Sequence, residues 1–108
     1  PVLTAIPNQN TLQNFTRTHI LDLWDYSSDS ESPEASLTFQ VVSVSDSRCG
    51  VNLDSYWINV NPQPNWTGSC YVTVSVNDTI PNKTATIGFW VNVLQINSRN
   101  YLPAILNN

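Results

Sequence analysis

A chain of 108 residues with a net charge of −4 at pH 7 is long enough for one domain with a modest core. Its four Lys and Arg residues are far apart and form no basic stripe, which argues against nucleic-acid binding. No stretch approaches the roughly 18 consecutive apolar residues of a spanning helix, so we expect no membrane insertion.

Short alternating segments separated by turn signals fill the first third of the chain, and helical periodicity is nearly absent. Residues 2–6 are apolar and suit an edge strand, whereas residues 8–14 are polar and predict a loop. Residues 18–24 predict the next strand. The Ser-rich, acidic segment 25–35 predicts a second loop.

The remaining chain contains the clearest strand patterns. The predicted strands are Leu37–Val44, 51–53, 56–60, 70–77 and 84–93. The pattern is strictest in 70–77, where Cys and Val at even positions alternate with polar or aromatic residues at odd positions. Such a period of two is typical of a strand with one face in the core. Residues 61–68, with two Pro and one Gly, predict a loop.

About seven short strands at this spacing predict an all-β fold, a two-sheet Greek-key β-sandwich, with a barrel as the weaker alternative. We assign residues 1–94 to the sandwich module. Residues 95–108 lie outside the alternating pattern and are assigned to a C-terminal tail or linker.

Cys49 and Cys70 are the only cysteines and enclose a short segment. In a secreted protein an even count predicts a disulfide, and the alternative is a pair of free, buried thiols. A catalytic cysteine is not expected, because the single histidine, His19, has no evident relation to either sulfur.

Four segments carry a resemblance to a known group. They are LDLWDYSSD at 21–29, LTFQVVS at 37–43, NPQPNWTG at 61–68 and VTVSVND at 72–78. Together with residues 89–93 they resemble the cadherin-like and immunoglobulin-like repeats of prokaryotic surface and secreted proteins. The resemblance implies an immunoglobulin-like or cadherin-like sandwich. It also implies a stalk, spacer or adhesive repeat that is often found in tandem and binds calcium in some members.

The acidic loop is a candidate calcium site. Asp25, Asp29, Glu31 and Glu34 lie within ten residues, and in a Greek-key sandwich the loop holding Asp78 emerges at the same end. Ca²⁺ takes about six to eight oxygen ligands, which carboxylates and backbone carbonyls supply. We therefore select Asp25, Asp29, Glu31 and Asp78 as candidate ligands. The alternative is a solvated acidic loop.

Two tryptophans, Trp57 and Trp90, stand between apolar residues of their strands and are expected to point outward. Outward aromatic rings can stack on sugars or form the centre of a protein interface, so both residues are candidate ligand or interface residues. The alternative is that a neighbouring strand, loop or tail covers them. Trp66 lies in the family-like turn, where we expect it to pack as a structural anchor.

Catalysis is not expected, because the sequence has no Gly-x-Ser-x-Gly motif, no phosphate-binding loop and no His/Cys metal spacing. The chain begins at Pro1 and contains no Met, so we expect a processed piece of a longer protein. We predict a non-catalytic extracellular structural or adhesive repeat, calcium-stabilised if the acidic loop binds the ion. Its partners would be neighbouring domains of its parent protein and a protein or polysaccharide ligand. The alternative function is a carbohydrate-binding module using outward Trp57 or Trp90.

Overall fold

The computed structural model describes residues 2–28, 37–79 and 82–95, and these ranges contain nine strands. The strands are β1 (Val2–Leu3), β2 (Gln9–Leu12), β3 (Arg17–Asp22), β4 (Ser27–Ser28), β5 (Leu37–Val44), β6 (Val51–Asp54), β7 (Trp57–Val60), β8 (Gly68–Thr79) and β9 (Asn82–Leu94). Two 3₁₀ helices, Leu23–Tyr26 and Ser47–Cys49, accompany them. None of the described helices has the length and apolar character needed to cross a membrane.

Two sheets make up the sandwich, which confirms the predicted all-β architecture with nine strands in place of about seven. One sheet has the order β2-β9-β8-β5, the other has the order β3-β7-β6, and β1 pairs with β4. All pairings are antiparallel except that of β2 with β9. The longest ladder joins β8 to β9, from Gly68 opposite Val93 to Thr79 opposite Asn82.

The core is formed by the inward side chains of both sheets. Those of β8, Cys70, Val72, Val74 and Val76, have no exposed surface, which confirms the alternation predicted for residues 70–77. The inward side chains of the other strands meet them from β9 and from the opposite sheet. These are Phe89, Val91, Val93, Leu21, Ile58 and Val60. Each fully buried aliphatic side chain stabilises the fold by about 1.5–3 kcal/mol before entropy is counted.

Strand β5 has the predicted bounds but contains a bulge. Val41 lies opposite Val74, whereas Ser43 already lies opposite Thr73 on β8, so Val42 is the extra residue. Its side chain is 55% exposed. Because β5 is an edge strand of its sheet, a bulge here also interrupts the row of unpaired backbone N–H and C=O groups with which another strand could pair.

The predicted loop at residues 8–14 is wrong, because Gln9–Leu12 form β2 and pair in parallel with the end of β9. The polar sequence of β2 gives no strand signal by itself. Its pairing is supported from β9, where the Asn92 side-chain amide donates to Asn10 Oδ1 at 2.8 Å. Tertiary pairing therefore overrides local pattern here.

The strand predicted over residues 18–24 stops two residues early. The Asp22 carboxylate accepts a hydrogen bond from the Trp24 backbone N–H at 2.9 Å and caps the 3₁₀ helix Leu23–Tyr26. Leu23 is nevertheless fully buried, on the same side as Leu21, as its position in the sequence pattern predicts. The predicted tail 95–108 lies outside the described residues apart from Gln95.

The predicted disulfide between Cys49 and Cys70 is confirmed, with both residues fully buried and Cα atoms 6.4 Å apart. It ties the 3₁₀ helix Ser47–Cys49 to β8. Gly50 ends this helix with φ of +67°, and a side chain there would collide with the backbone of Asn61. Only glycine suits this position, because the conformation is left-handed and the neighbouring backbone is close.

Asp46 and Arg48 complete the loop. The Asp46 carboxylate accepts from the Arg48 backbone N–H at 3.0 Å and from its guanidinium at 2.7 Å. These hydrogen bonds from Arg48 hold the pKa of Asp46 below its ordinary value, so the carboxylate keeps its charge to lower pH. The same guanidinium lies over the Trp66 ring, 5.2 Å from its centroid.

Removing the disulfide with Cys49→Ala and Cys70→Ala should lower the free energy of unfolding by about 3 kcal/mol, because the bond restricts the unfolded chain. Urea unfolding at pH 7 measures the change. The single variant Cys49→Ala should lose a similar amount, since either change breaks the link. A double variant as stable as the oxidised parent would show that the bond adds nothing to stability.

The Thr11 side chain is the buried one on β2 and is 5% exposed. Its hydroxyl has no hydrogen-bond partner among the described residues. Thr11→Val keeps the shape and removes this buried hydroxyl, so we expect a gain of about 1 kcal/mol in the free energy of unfolding. Thr11→Ser keeps the hydroxyl and loses a methyl group, and should cost about 1 kcal/mol. If urea unfolding shows that both variants lose stability, the hydroxyl is not a cost to the fold.

Candidate functional site

Two of the four predicted calcium ligands, Asp25 and Asp78, lie among the described residues. Asp25 is exposed on the 3₁₀ helix Leu23–Tyr26, and Asp78 is buried on β8 opposite Leu37. Asp29 and Glu31 lie outside the described residues. Within the described ranges no group of three or more His, Cys, Asp and Glu side chains is placed to hold a metal ion. Calcium binding therefore stays a prediction.

An exposed pair of aromatic rings stands on the outer face of the four-stranded sheet. Trp90 on β9 is 45% exposed, as its outward position in the sequence predicts. Directly opposite it on β8 lies Tyr71, which is 40% exposed. The ring centroids are 5.1 Å apart and the planes are inclined at 65°, the edge-to-face geometry that aromatic rings prefer.

Three neighbours position this pair. The Asn8 side-chain oxygen accepts a hydrogen bond from the Trp90 backbone N–H at 2.9 Å and so ties β9 to the residue just before β2. Ser45 bonds Tyr71 twice, accepting from its backbone N–H at 2.8 Å and donating to its carbonyl at 3.0 Å. The Tyr71 ring lies directly over Gly88, where any side chain would collide with it. Glycine at this position therefore lets the ring lie close to the sheet.

A row of polar side chains lies beside the aromatic pair. The Ser69 hydroxyl donates to Asn92 Oδ1 at 2.7 Å, and Asn92 Nδ2 donates to Asn10 Oδ1 at 2.8 Å. The row crosses β8, β9 and β2. On β8 and β9 it lies two residues from Tyr71 and Trp90, on the same face of the sheet. We call this surface the aromatic face, defined by Tyr71, Trp90, Gly88, Ser69, Asn92 and Asn10.

Sequence reasoning selected Trp90 but did not select Tyr71, Gly88 or the polar row. The sequence pattern does predict that Tyr71 points outward, because it stands between Cys70 and Val72, whose side chains lie in the core. No local signal pairs Tyr71 with Trp90, since their contact depends on the register between β8 and β9.

Trp57 lies on the outer face of the three-stranded sheet, but its neighbours cover it and leave the ring half-buried. The His19 ring stacks on it with centroids 4.6 Å apart and an interplanar angle of 17°. His19 also approaches the Asp54 carboxylate at 3.4 Å. The His19 backbone has φ of +55°, and its N–H donates to the Asn59 side chain at 2.7 Å. The imidazole therefore covers one face of the indole.

A continuous run of rings joins Trp57 to the edge of the core. Tyr56 lies 5.3 Å from Trp57, Trp24 lies 6.3 Å from Tyr56, and Phe39 lies 5.0 Å from Trp24, all as centroid separations. Phe39 packs against the buried core. This arrangement gives Trp57 a structural role and leaves Trp90 as the better candidate for contact with a ligand.

Trp66 is the structural anchor that the sequence predicts. It packs against the core cluster, and its indole lies close to Gly68 as well as under the Arg48 guanidinium. The ring therefore closes the loop between β7 and β8 onto the body of the sandwich.

A pocket of about 150 Å³ opens near the end of β2. It is lined by Thr11, Leu12, Phe15 and Arg17. These walls are mostly apolar and bring together no pair of acid and base side chains. The pocket therefore suits small apolar groups more than chemistry on a substrate.

Comparison with known proteins assigns no function to the aromatic face. The sequence matches no protein-family model and no curated protein. The function has to be inferred from the chemistry of the chain's own residues.

Proposed function

We propose that this chain is a non-catalytic extracellular module with a structural and adhesive role, and that it contacts its partner through the aromatic face. The observation that carries the proposal is the Tyr71–Trp90 pair, which is 40% and 45% exposed on the outer face of the four-stranded sheet. Large rings in solvent gain most when a partner covers them, and aromatic residues are enriched where proteins make specific contacts.

The disulfide supports an extracellular location. Cys49 and Cys70 are joined in the core, and structural disulfides persist in oxidising compartments such as the cell exterior. The same bond supports a structural role, because it fixes the loop after β5 to the central strand β8. A sandwich held in this way suits a segment between neighbouring domains of a larger protein.

The chemistry of the aromatic face supports binding without catalysis. Two aromatic rings, one glycine, one hydroxyl and two amides supply contact area and hydrogen bonds. No carboxylate, imidazole, amine or thiol is among these side chains. Adhesion also tolerates weak single contacts, because many copies on one surface act together.

The proposal also keeps calcium binding by the predicted ligands Asp25, Asp29, Glu31 and Asp78. It predicts a rise of several degrees in melting temperature when EDTA is replaced by millimolar Ca²⁺. Asp29→Ala should abolish the rise, because it removes a proposed ligand. Asp54→Ala is the matched control, since Asp54 lies on β6 beside His19 and outside the candidate set. Identical melting curves with and without Ca²⁺ would remove calcium from the proposed function.

Adhesion is tested with beads coated with the oxidised chain and passed over cellulose, alginate and gelatin surfaces under flow. We expect retention on one of these surfaces at least fivefold above that of uncoated beads. The double variant Tyr71→Ala, Trp90→Ala should lose this retention, whereas Trp57→Ala should keep it, with melting curves used to verify folding. Equal retention by the double variant, or no retention of the parent chain on any surface, contradicts the proposal.

A further inference from the structure

We propose that the ligand of the aromatic face is a neutral polysaccharide, one of whose pyranose rings stacks on Trp90 while its hydroxyls bond to the polar row. This inference rests on the proposed function, because it names the partner of the same surface. It is carried by three independent features: the geometry of the rings, the hydrogen-bonding capacity beside them and the uncharged side chains at the described outward positions of the sheet.

The rings offer a rigid apolar platform. The Trp90 ring packs edge-to-face against the Tyr71 ring, and the Tyr71 ring lies over Gly88. Rings held in this way lose little conformational freedom when a ligand arrives. One face of a pyranose presents mainly C–H groups, which pack well against the negative face of an indole. Stacking therefore suits a sugar ring without a conformational change in the sheet.

The polar row leaves hydrogen-bonding groups unused. A side-chain amide has two donors and two acceptor sites, and Asn92 uses one of each within the row. Asn10 uses only its oxygen, as an acceptor, among the described residues. Asn92 lies two residues along β9 from Trp90, about 7 Å. A ligand ring stacked on Trp90 therefore has hydroxyls close to free amide groups, which can donate to and accept from them.

Among the residues that the structure describes, the outward positions of the four-stranded sheet carry no charged side chain. In the described ranges they are Asn10, Leu12, Thr38, Gln40, Val42, Ser43, Ser69, Tyr71, Thr73, Ser75, Asn77, Thr84, Thr86, Gly88, Trp90, Asn92 and Leu94. A charged ligand would find no opposite charge here, and the net charge of −4 repels an acidic polymer. Next to the two rings along their own strands lie Ser69, Thr73, Gly88 and Asn92, whose hydroxyls and amide can bond to sugar hydroxyls. Both facts favour a neutral sugar polymer.

Gly88 provides a variant that changes the platform without removing a ring. In Gly88→Ala the new methyl group would displace the Tyr71 ring, because that ring occupies the space above Gly88. The strand itself tolerates alanine, since no positive φ is required at this residue. The variant therefore separates the positioning of Tyr71 from its presence, and it guards against a Trp90 variant that fails to fold.

The experiment is native gel electrophoresis of the oxidised chain through gels containing hydroxyethyl cellulose, galactomannan, xylan or alginate, together with tryptophan fluorescence. We expect retardation by at least one neutral polymer and none by alginate. Trp90→Ala should weaken the affinity at least tenfold, and Gly88→Ala should weaken it severalfold. Trp57→Ala should leave it unchanged. The fluorescence change on binding should persist in Trp57→Ala and vanish in Trp90→Ala.

The other outcomes separate the ligand from the function. Retardation by alginate alone, or bead retention on gelatin alone, each lost in Trp90→Ala, overturns the neutral sugar and leaves the adhesive function standing. Retardation by a neutral polymer that is equal in the parent chain and in folded Trp90→Ala overturns the stacking site. Absence of retardation in every gel, with no bead retention on any surface, overturns both the ligand and the proposed function.

Discussion

The complete burial of one side of β8 is the constraint on which the other features depend. Cys70 and the three valines that follow it at every second position have no exposed surface, and β8 pairs with both β5 and β9. A shift of one residue in its register would expose all of them. The same constraint turns Tyr71 outward, because a residue between two buried neighbours of a strand has no other side to occupy.

The core and the outer surface meet at the start of β8. Cys70 fastens the strand to the 3₁₀ helix Ser47–Cys49, while the next residue, Tyr71, bonds to Ser45 just before that helix. The loop is therefore fixed on both sides of β8, and the Tyr71 ring is held against Gly88. In this arrangement the disulfide contributes to the shape of the aromatic face as well as to stability.

The four tryptophans have different environments, and this decides which of them suits a ligand. Trp24 and Trp66 pack against the body of the sandwich, and Trp57 lies under the His19 ring. Trp90 is the most exposed of the four and has Tyr71 as its neighbour. Exposure of a large ring next to polar groups with spare hydrogen-bonding capacity is the feature that separates a contact surface from packing.

Alternation with a period of two predicted the bounds of β5, the buried side of β8 and the outward position of Trp90. The even cysteine count, and not alternation, predicted the disulfide that the structure contains. The strand state of the polar β2, the bulge at Val42 and the stacking of His19 on Trp57 depend on tertiary contacts. Tertiary packing also places Gly88 beneath the Tyr71 ring and Asn10 beside Asn92. Alternation is a local property of each strand, whereas pairing partners and register depend on residues far apart in the chain.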